Sequence, residues 1–114
     1  MEFKVLTWNV RGLAKKDHQD QVTRLMQENG VSVCCILESH LNAGKLRTTC
    51  NQVFKNWEWV SNMSHCQNWI RIIVGWDPSN VDIMVIDQNE QAIHCLVKPL
   101  TGHNEFYCSF IYGK

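Results

Sequence analysis

The hydrophobic positions in the first third of the chain change from a strand period to a helix period and back. Residues 3–9 alternate apolar and polar side chains and predict a buried strand that stops at an Asn-x-Arg-Gly turn. Residues 15–29 carry apolar side chains three and four positions apart, and the following Gly30 suits a helix end. Residues 31–37 are continuously apolar, which is typical of an interior strand. A βαβ unit with parallel strands and a right-handed crossover is therefore predicted.

This unit has a consequence for chemistry at one edge of the sheet. Asn9 ends the first strand, and Glu38 closes the second. Carboxyl ends of neighbouring parallel strands meet at one edge, where open α/β sheets place their ligands. We therefore expect Asn9 and Glu38 to lie side by side, with Arg11 following in the turn. A carboxamide and a guanidinium at a strand end are suited to binding phosphate.

The remaining two thirds of the chain have mainly strand character. Asn42 is placed to cap a short helix within residues 41–56. Further strands are predicted at 58–63, 70–76, 81–87, 92–98 and 105–112. Their spacing and the polar turns between them suit an antiparallel meander. The predicted fold class is thus α/β (α+β), with one mostly antiparallel sheet and an N-terminal βαβ unit.

Composition restricts the class of protein without identifying it. A length of 114 residues suits one domain, taken as 1–114, and an apolar fraction of 45% indicates a folded chain. The formal net charge of zero gives no support for non-specific binding to nucleic acid or to a membrane. With no signal peptide or transmembrane segment, we expect an intracellular location, nuclear or cytoplasmic. The six cysteines lack zinc-binding spacing, and we interpret them as buried apolar residues.

Three residues are candidates for chemistry, and two of them also have a simpler interpretation. Glu38 at the mouth of a sheet suits Mg²⁺, whereas a solvated glutamate ending a strand is the alternative. Tyr112 has a hydroxyl able to hold a phosphate oxygen, or is an ordinary strand aromatic. Arg71 is solvent-facing by period and able to touch a backbone phosphate. Four tryptophans suggest a base-stacking platform, although their alternation favours core packing: Trp57, Trp59, Trp69 and Trp76.

The order of four short segments is more specific than any single residue. They are Leu6-Thr7-Trp8-Asn9-Val10-Arg11-Gly12-Leu13, Ile36-Leu37-Glu38-Ser39-His40, Arg71-Ile72-Ile73-Val74-Gly75-Trp76-Asp77-Pro78 and Ser109-Phe110-Ile111-Tyr112-Gly113. Together they resemble the exonuclease–endonuclease–phosphatase superfamily. More narrowly, they are similar to the apurinic-type endonuclease domain of plant non-LTR (LINE-type) retrotransposons.

The resemblance implies the N-terminal half of a four-layer α/β sandwich of the DNase I-like type. It implies Mg²⁺-dependent hydrolysis of DNA phosphodiester bonds, as in target-site nicking during retrotransposition. Asn9 would hold the attacking water or the metal network, Glu38 would bind the metal, and Tyr112 would contact the scissile phosphate. The residues expected to bind phosphate or DNA are Arg11, His40 and Arg71. A reverse transcriptase domain would follow in the full-length polyprotein.

Two motifs of this superfamily have no counterpart in the sequence. A G-D-x-N motif and a terminal S-D-H motif would follow Tyr112, and Arg11 stands where many relatives have Asp. We therefore expect the chain to be inactive alone and either marginally stable or self-associating. The alternative is a non-catalytic retroelement remnant that contacts nucleic acid or another partner. A phosphatase acting on a small or lipid substrate is disfavoured by the retroelement-like segments.

Overall fold

The protein is described by a computed structural model covering residues 3–113, so Met1, Glu2 and Lys114 of the predicted 1–114 domain lie outside it. Two helices alternate with the first three strands, and four further strands follow, which confirms the predicted mixed α/β class. The elements are β1 (Val5–Asn9), α1 (Lys16–Asn29), β2 (Val33–Leu41), α2 (Ala43–Phe54), β3 (Glu58–Ser61), β4 (Ile70–Trp76), β5 (Val81–Gln88), β6 (Ala92–Pro99) and β7 (Phe106–Ile111). A short 3₁₀ turn at Met63–His65 separates β3 from β4.

Both helices begin and end where local chemistry dictates. Gly30 follows α1 with a left-handed φ of 59°, and its N–H donates to the carbonyl of Gln27. Asn42 precedes α2, and its side-chain oxygen accepts the N–H of Lys45 at 3.1 Å. The predicted helices are confirmed. No helix within residues 3–113 is long and apolar enough to cross a bilayer.

The predicted βαβ unit forms one side of a four-stranded sheet ordered β1-β2-β4-β3. β1 runs parallel to β2, with Asn9 opposite Leu37, and β2 is the buried interior strand that its apolar run predicts. The expected burial of β1 is wrong. It is an edge strand in which Val5 is 42% exposed, because only its Leu6 and Trp8 pack against the hydrophobic core.

The expectation of one mostly antiparallel sheet is corrected, because the described strands form two. β5, β6 and β7 make a separate three-stranded antiparallel meander. The turn at Asp77 carries the chain from one sheet to the other: its N–H donates to the carbonyl of Ser32, and its carboxylate accepts from Ser79 and Asn80. A two-residue period marks each strand but does not specify its neighbours.

The helices, the four-stranded sheet and the three-stranded sheet form three successive layers with a core in each interface. One core lies between the helices and the first sheet and contains Leu13, Val22 and Phe54. The other lies between the sheets and contains Ile72, Val74 and Ile93. Among the described residues no helix covers the outer face of the three-stranded sheet. Met84 and Tyr107 lie on this face, on either side of Leu96. Their side chains are therefore 46% and 78% exposed.

Self-association remains a prediction. The accessible surface is 6665 Å², close to the value of about 6,500 Å² that scaling with mass gives a compact monomer of this size. The driving force would therefore be the local patch around Met84 and Tyr107, not a general excess of exposed surface. We expect light scattering to show a mass that rises with concentration and falls back when Met84 and Tyr107 are both replaced by Ser. A concentration-independent monomer mass would contradict this.

Most cysteines are buried as predicted, and their burial makes stability sensitive to alkaline pH. Burial raises the pKa of the Cys34 and Cys50 thiols from 9.0 to about 12. Cys95 lies near Cys108, and burial together with that neighbour raises its pKa to about 11. Cys66 and Cys108 are partly exposed, which the apolar interpretation did not anticipate.

We expect the free energy of unfolding to fall as pH rises above 9, because the unfolded chain then loses thiol protons that the folded chain retains. The loss is at most about 1.4 kcal/mol per thiol for each pH unit between the unfolded and folded pKa values. Urea unfolding at pH 7.5 and pH 10 measures it. The Cys50→Ala variant should show a shallower pH dependence than wild type. An unchanged slope in Cys50→Ala would contradict the assignment.

Candidate functional site

The carboxyl ends of β1 and β2 meet the end of β7 at an open cleft of about 600 Å³. Asn9, Glu38 and Tyr112 line it, together with Leu37 and the backbone around Ile111 and Gly113. The predicted juxtaposition of Asn9 and Glu38 is thus present, and the second sheet brings in Tyr112. Three residues far apart in sequence therefore share one cavity.

The backbone beside this cleft is held in conformations that non-glycine residues rarely adopt. Arg11, Glu38 and His40 have φ values of 53°, 57° and 54°, and Gly12, in the connection from β1 to α1, has a φ of 108°. Such positions cost about 1–3 kcal/mol each and cluster at functional sites. The two segments support one another, because the N–H groups of Gly12 and Leu13 donate to the carbonyls of Glu38 (2.9 Å) and Ser39 (2.7 Å). The strain therefore projects Glu38 toward the cleft edge.

Ser39 holds the irregular part of β2 in place, and it was not among the predicted site residues. Its fully buried hydroxyl donates to the carbonyl of Ile70 at 2.5 Å and accepts the N–H of Leu41 at 3.3 Å. The expectation that Glu38 closes the second strand is corrected. Pairing with β4 resumes at Leu41 after an irregular stretch, because Ser39 replaces the missing ladder bonds. The sequence carries no signal for this role, because Ser39 lies between the polar residues Glu38 and His40.

The Arg-Gly turn is also anchored by the first turn of α1. His18 Nδ1 lies 2.6 Å from the carbonyl oxygen of Gly12. The buried Gln19 side chain donates to the carbonyl of Leu13 at 3.0 Å. These side chains satisfy carbonyls that the left-handed turn leaves without ladder partners. Neither contact is predictable from the sequence, since a polar residue on a helix face gives no indication of its partner.

Arg71 is the predicted phosphate contact that lies nearest Tyr112. Its guanidinium carbon is 5.2 Å from the centroid of the Tyr112 ring, and Nη1 is 4.0 Å from a carboxylate oxygen of Glu90. The half-buried guanidinium thus stacks on the aromatic face. The Tyr112 N–H donates to the carbonyl of Gln91 at 2.8 Å, so one turn positions both residues.

A buried asparagine fixes that turn to the first sheet. Asn62 is fully buried, and its Nδ2 donates to the carbonyls of Asn89 (3.2 Å) and Glu90 (3.1 Å). Its Oδ1 accepts the N–H of Ile72 at 3.0 Å. Asn62 therefore connects the β5–β6 turn with β4 and indirectly sets the positions of Arg71 and Tyr112. It too was absent from the sequence-based candidates.

The other two predicted contacts lie beside the cleft, outside its lining. The Arg11 side chain is exposed on the turn next to Glu38. His40 is exposed, and its ring centroid lies 6.2 Å from that of Trp69. The guanidinium of Arg11 and the imidazole of His40 are therefore both exposed to solvent at the rim of the cleft.

The donors in the cleft fit a hard divalent cation in number and kind. Glu38 offers a carboxylate and Asn9 a carboxamide oxygen, and Mg²⁺ takes one or two protein carboxylates while keeping waters or phosphate oxygens. Within residues 3–113, no group of three or more His, Cys, Asp or Glu side chains is arranged to hold a metal ion. The donor set therefore suits Mg²⁺ shared with a substrate and does not suit a closed structural metal site.

No family model matches the sequence, and no curated protein matches it. Solved structures do match the three-layer arrangement of the chain. An AP endonuclease from Leishmania major aligns over 98% of this chain and 40% of its own, with a TM-score of 0.74 and 15% identity. This chain has the DNase I-like fold. The endonuclease domain of TRAS1, a telomere-specific non-LTR retrotransposon, aligns over 98% of this chain and 46% of its own (TM-score 0.71, 10% identity).

The DNase I-like neighbours differ in activity and are all longer than this chain. A 3′ phosphatase from Neisseria, solved with a product DNA hairpin, aligns over 85% of this chain and 38% of its own (TM-score 0.57, 20% identity). The chain therefore spans less than half the length of these three structures. At such low identities the structural similarity establishes the fold alone, and chemistry depends on the residues in the cleft.

Proposed function

We propose that this chain is the metal-binding and phosphate-binding half of a hydrolase that cleaves DNA phosphodiester bonds. The observation that carries the proposal is the convergence of Asn9, Glu38 and Tyr112 in one cleft beside a strained turn. The TRAS1 endonuclease domain and the DNA-bound phosphatase have similar folds and support DNA as the substrate class. We assign it more narrowly to the endonucleases of plant non-LTR retrotransposons, on the segments described above.

Each residue of the cleft has a role that its chemistry suits. Glu38 would hold Mg²⁺, which when bound neutralises charge on the non-bridging phosphate oxygens. Asn9 accepts and donates hydrogen bonds and is suited to orienting a water or completing the metal shell. The Tyr112 hydroxyl would donate to a phosphate oxygen, and the Arg71 guanidinium, 5.2 Å from that ring, would add a positive charge beside it. These groups bind and orient the phosphodiester.

The cleft also explains why the chain alone should not turn over DNA. Of the described residues, those lining it include no histidine and no carboxylate other than Glu38. A hydrolase needs a group to accept a proton from the attacking water, which typically contributes 10²–10⁴-fold. With Glu38 engaged on the metal, no lining side chain remains for that task. We expect binding without cleavage.

The proposal is tested by fluorescence anisotropy with a short labelled DNA duplex, with and without Mg²⁺, at low salt. We expect Mg²⁺ to tighten binding by at least about ten-fold, or about 1.4 kcal/mol, since a cation held by Glu38 would supply positive charge for the phosphate. Glu38→Gln should abolish this gain. Glu28→Gln, which changes an exposed helical glutamate, should leave it intact.

Two outcomes would overturn the proposal. One is binding that is equally strong without Mg²⁺ or in Glu38→Gln, which would favour a remnant that contacts nucleic acid without metal. The other is the absence of duplex binding under all conditions. A supercoiled-plasmid nicking assay tests the expected inactivity separately. Nicking that disappears in Glu38→Gln would support the metal site but refute the claim that the chain cannot cleave.

A further inference from the structure

Trp69 differs from the other tryptophans in its surroundings. Trp76 is buried, and Trp8, Trp57 and Trp59 pack partly against the helix-side core. Trp69 is 55% exposed, which makes it the one exposed tryptophan within residues 3–113. Core packing, the favoured interpretation of the tryptophans, therefore fails for this residue. A singly exposed aromatic ring is common on protein surfaces, so its meaning here depends on the groups around it.

The position of Trp69 is fixed by the same segment that presents Glu38. It immediately precedes Ile70, whose carbonyl accepts the buried Ser39 hydroxyl at 2.5 Å. Its ring contacts His40 at a tilt of 48°, with centroids 6.2 Å apart. An aromatic ring supported in this way loses little conformational freedom when a ligand stacks on it.

Trp69 also shares a surface depression with groups that recognise nucleotides. Arg71 and Glu90 line this depression with it, as do the side chains of Gln67 and Asn68. Amide side chains are suited to hydrogen-bonding base edges, and guanidinium groups to phosphate. Arg71 in turn contacts Tyr112 of the cleft, so the depression and the cleft adjoin through this pair.

We propose that Trp69 is a stacking platform for one unpaired nucleobase of a DNA strand whose phosphate lies in the adjoining cleft. The inference rests on the proposed DNA-binding function and adds a base-binding subsite to it. Aromatic stacking tolerates every base, so the subsite favours single-stranded or locally opened DNA over a fully paired duplex. The zero net charge of the chain makes such stacking a large share of total affinity.

The test compares two probes of equal length and charge in Mg²⁺: a short oligothymidylate and the same backbone with abasic residues in place of its central thymidines. We expect the thymidine probe to bind about 5- to 100-fold more tightly. It should also quench tryptophan fluorescence, because the indole of Trp69 is exposed to the probe. Trp69→Ala should remove both the quenching and the preference. Trp69→Phe should retain most of the preference.

The control variant is Ile86→Ala, which truncates a side chain of similar exposure (52%) on the other sheet and should behave as wild type. Thermal unfolding of each variant checks that the fold is intact. Equal binding of the two probes, or a preference that survives in Trp69→Ala, would overturn the stacking inference while leaving the Mg²⁺-dependent duplex binding in place. Failure of both probes and of the duplex would overturn the function as well.

Discussion

Replacing Gly75 by Ala is expected to lower the free energy of unfolding by about 1–3 kcal/mol, the usual cost of overpacking a core. Gly75 lies in the middle of β4, and a Cβ there would meet the ring of Phe54 far inside the 3.0 Å limit of real contacts. Phe54 is only 2% exposed and stacks on Trp57 at 6.1 Å, so its ring has little room to move. Thermal unfolding should show a midpoint lower by about 5–15 °C.

Gly44→Ala is the matched control for this substitution. A Cβ at Gly44, in the first turn of α2, would meet no atom closer than the Asn42 side-chain oxygen at 3.5 Å. It should therefore be neutral or slightly stabilising. Adding Phe54→Leu to Gly75→Ala should recover part of the loss, since the clash partner becomes smaller. Equal midpoints for Gly75→Ala and wild type would show that the close approach of Phe54 is not a constraint.

Replacing Asn62 by Ala is expected to lower the free energy of unfolding by about 2–4 kcal/mol, because three backbone groups lose their hydrogen-bond partner at once. The Ile72 N–H and the carbonyls of Asn89 and Glu90 would lose the hydrogen bonds that the side chain supplies. Unsatisfied buried polar groups cost about 1–3 kcal/mol each, less where water can enter. Urea unfolding measures the loss.

Asn29→Ala provides a matched comparison, since Asn29 makes one exposed hydrogen bond to the carbonyl of Leu25. We expect it to change stability by less than about 0.5 kcal/mol. Asn62→Ala should also loosen the turn that holds Tyr112, so hydrogen exchange of the Tyr112 N–H should accelerate more than that of β2 amides. Similar losses in the two variants would contradict a buried connection at Asn62.

The elements of this protein were largely predictable because each depends on near neighbours in sequence. The Gly30 helix end, the Asn42 cap and the interior run of β2 follow from local preference and period. The approach of Asn9 to Glu38 was predictable as well. A parallel βαβ unit brings its strand ends to one edge whatever packs around it, and the register of Asn9 opposite Leu37 agrees.

The positions of Tyr112 and Arg71 relative to that edge depended on how the sheets pack. Their meeting requires the turn after β4 to move the chain into a second sheet, and alternating side chains allow either arrangement. The burial of β1 was mispredicted for the same reason. Its side chains do alternate between exposed and partly buried, but the burial of its second face depends on which strands of the other sheet pack against it.

The sequence by itself thus determined the secondary structure, the βαβ unit and the adjacency of Asn9 and Glu38, because these arise from short-range periodicity and the handedness of the chain. Only the tertiary structure decided the division of strands between two sheets and the left-handed segment around Glu38. It alone placed the connection at Asn62 and left Trp69 exposed. Those features depend on which distant groups satisfy one another's hydrogen bonds and fill one another's volume, and no local pattern carries that information.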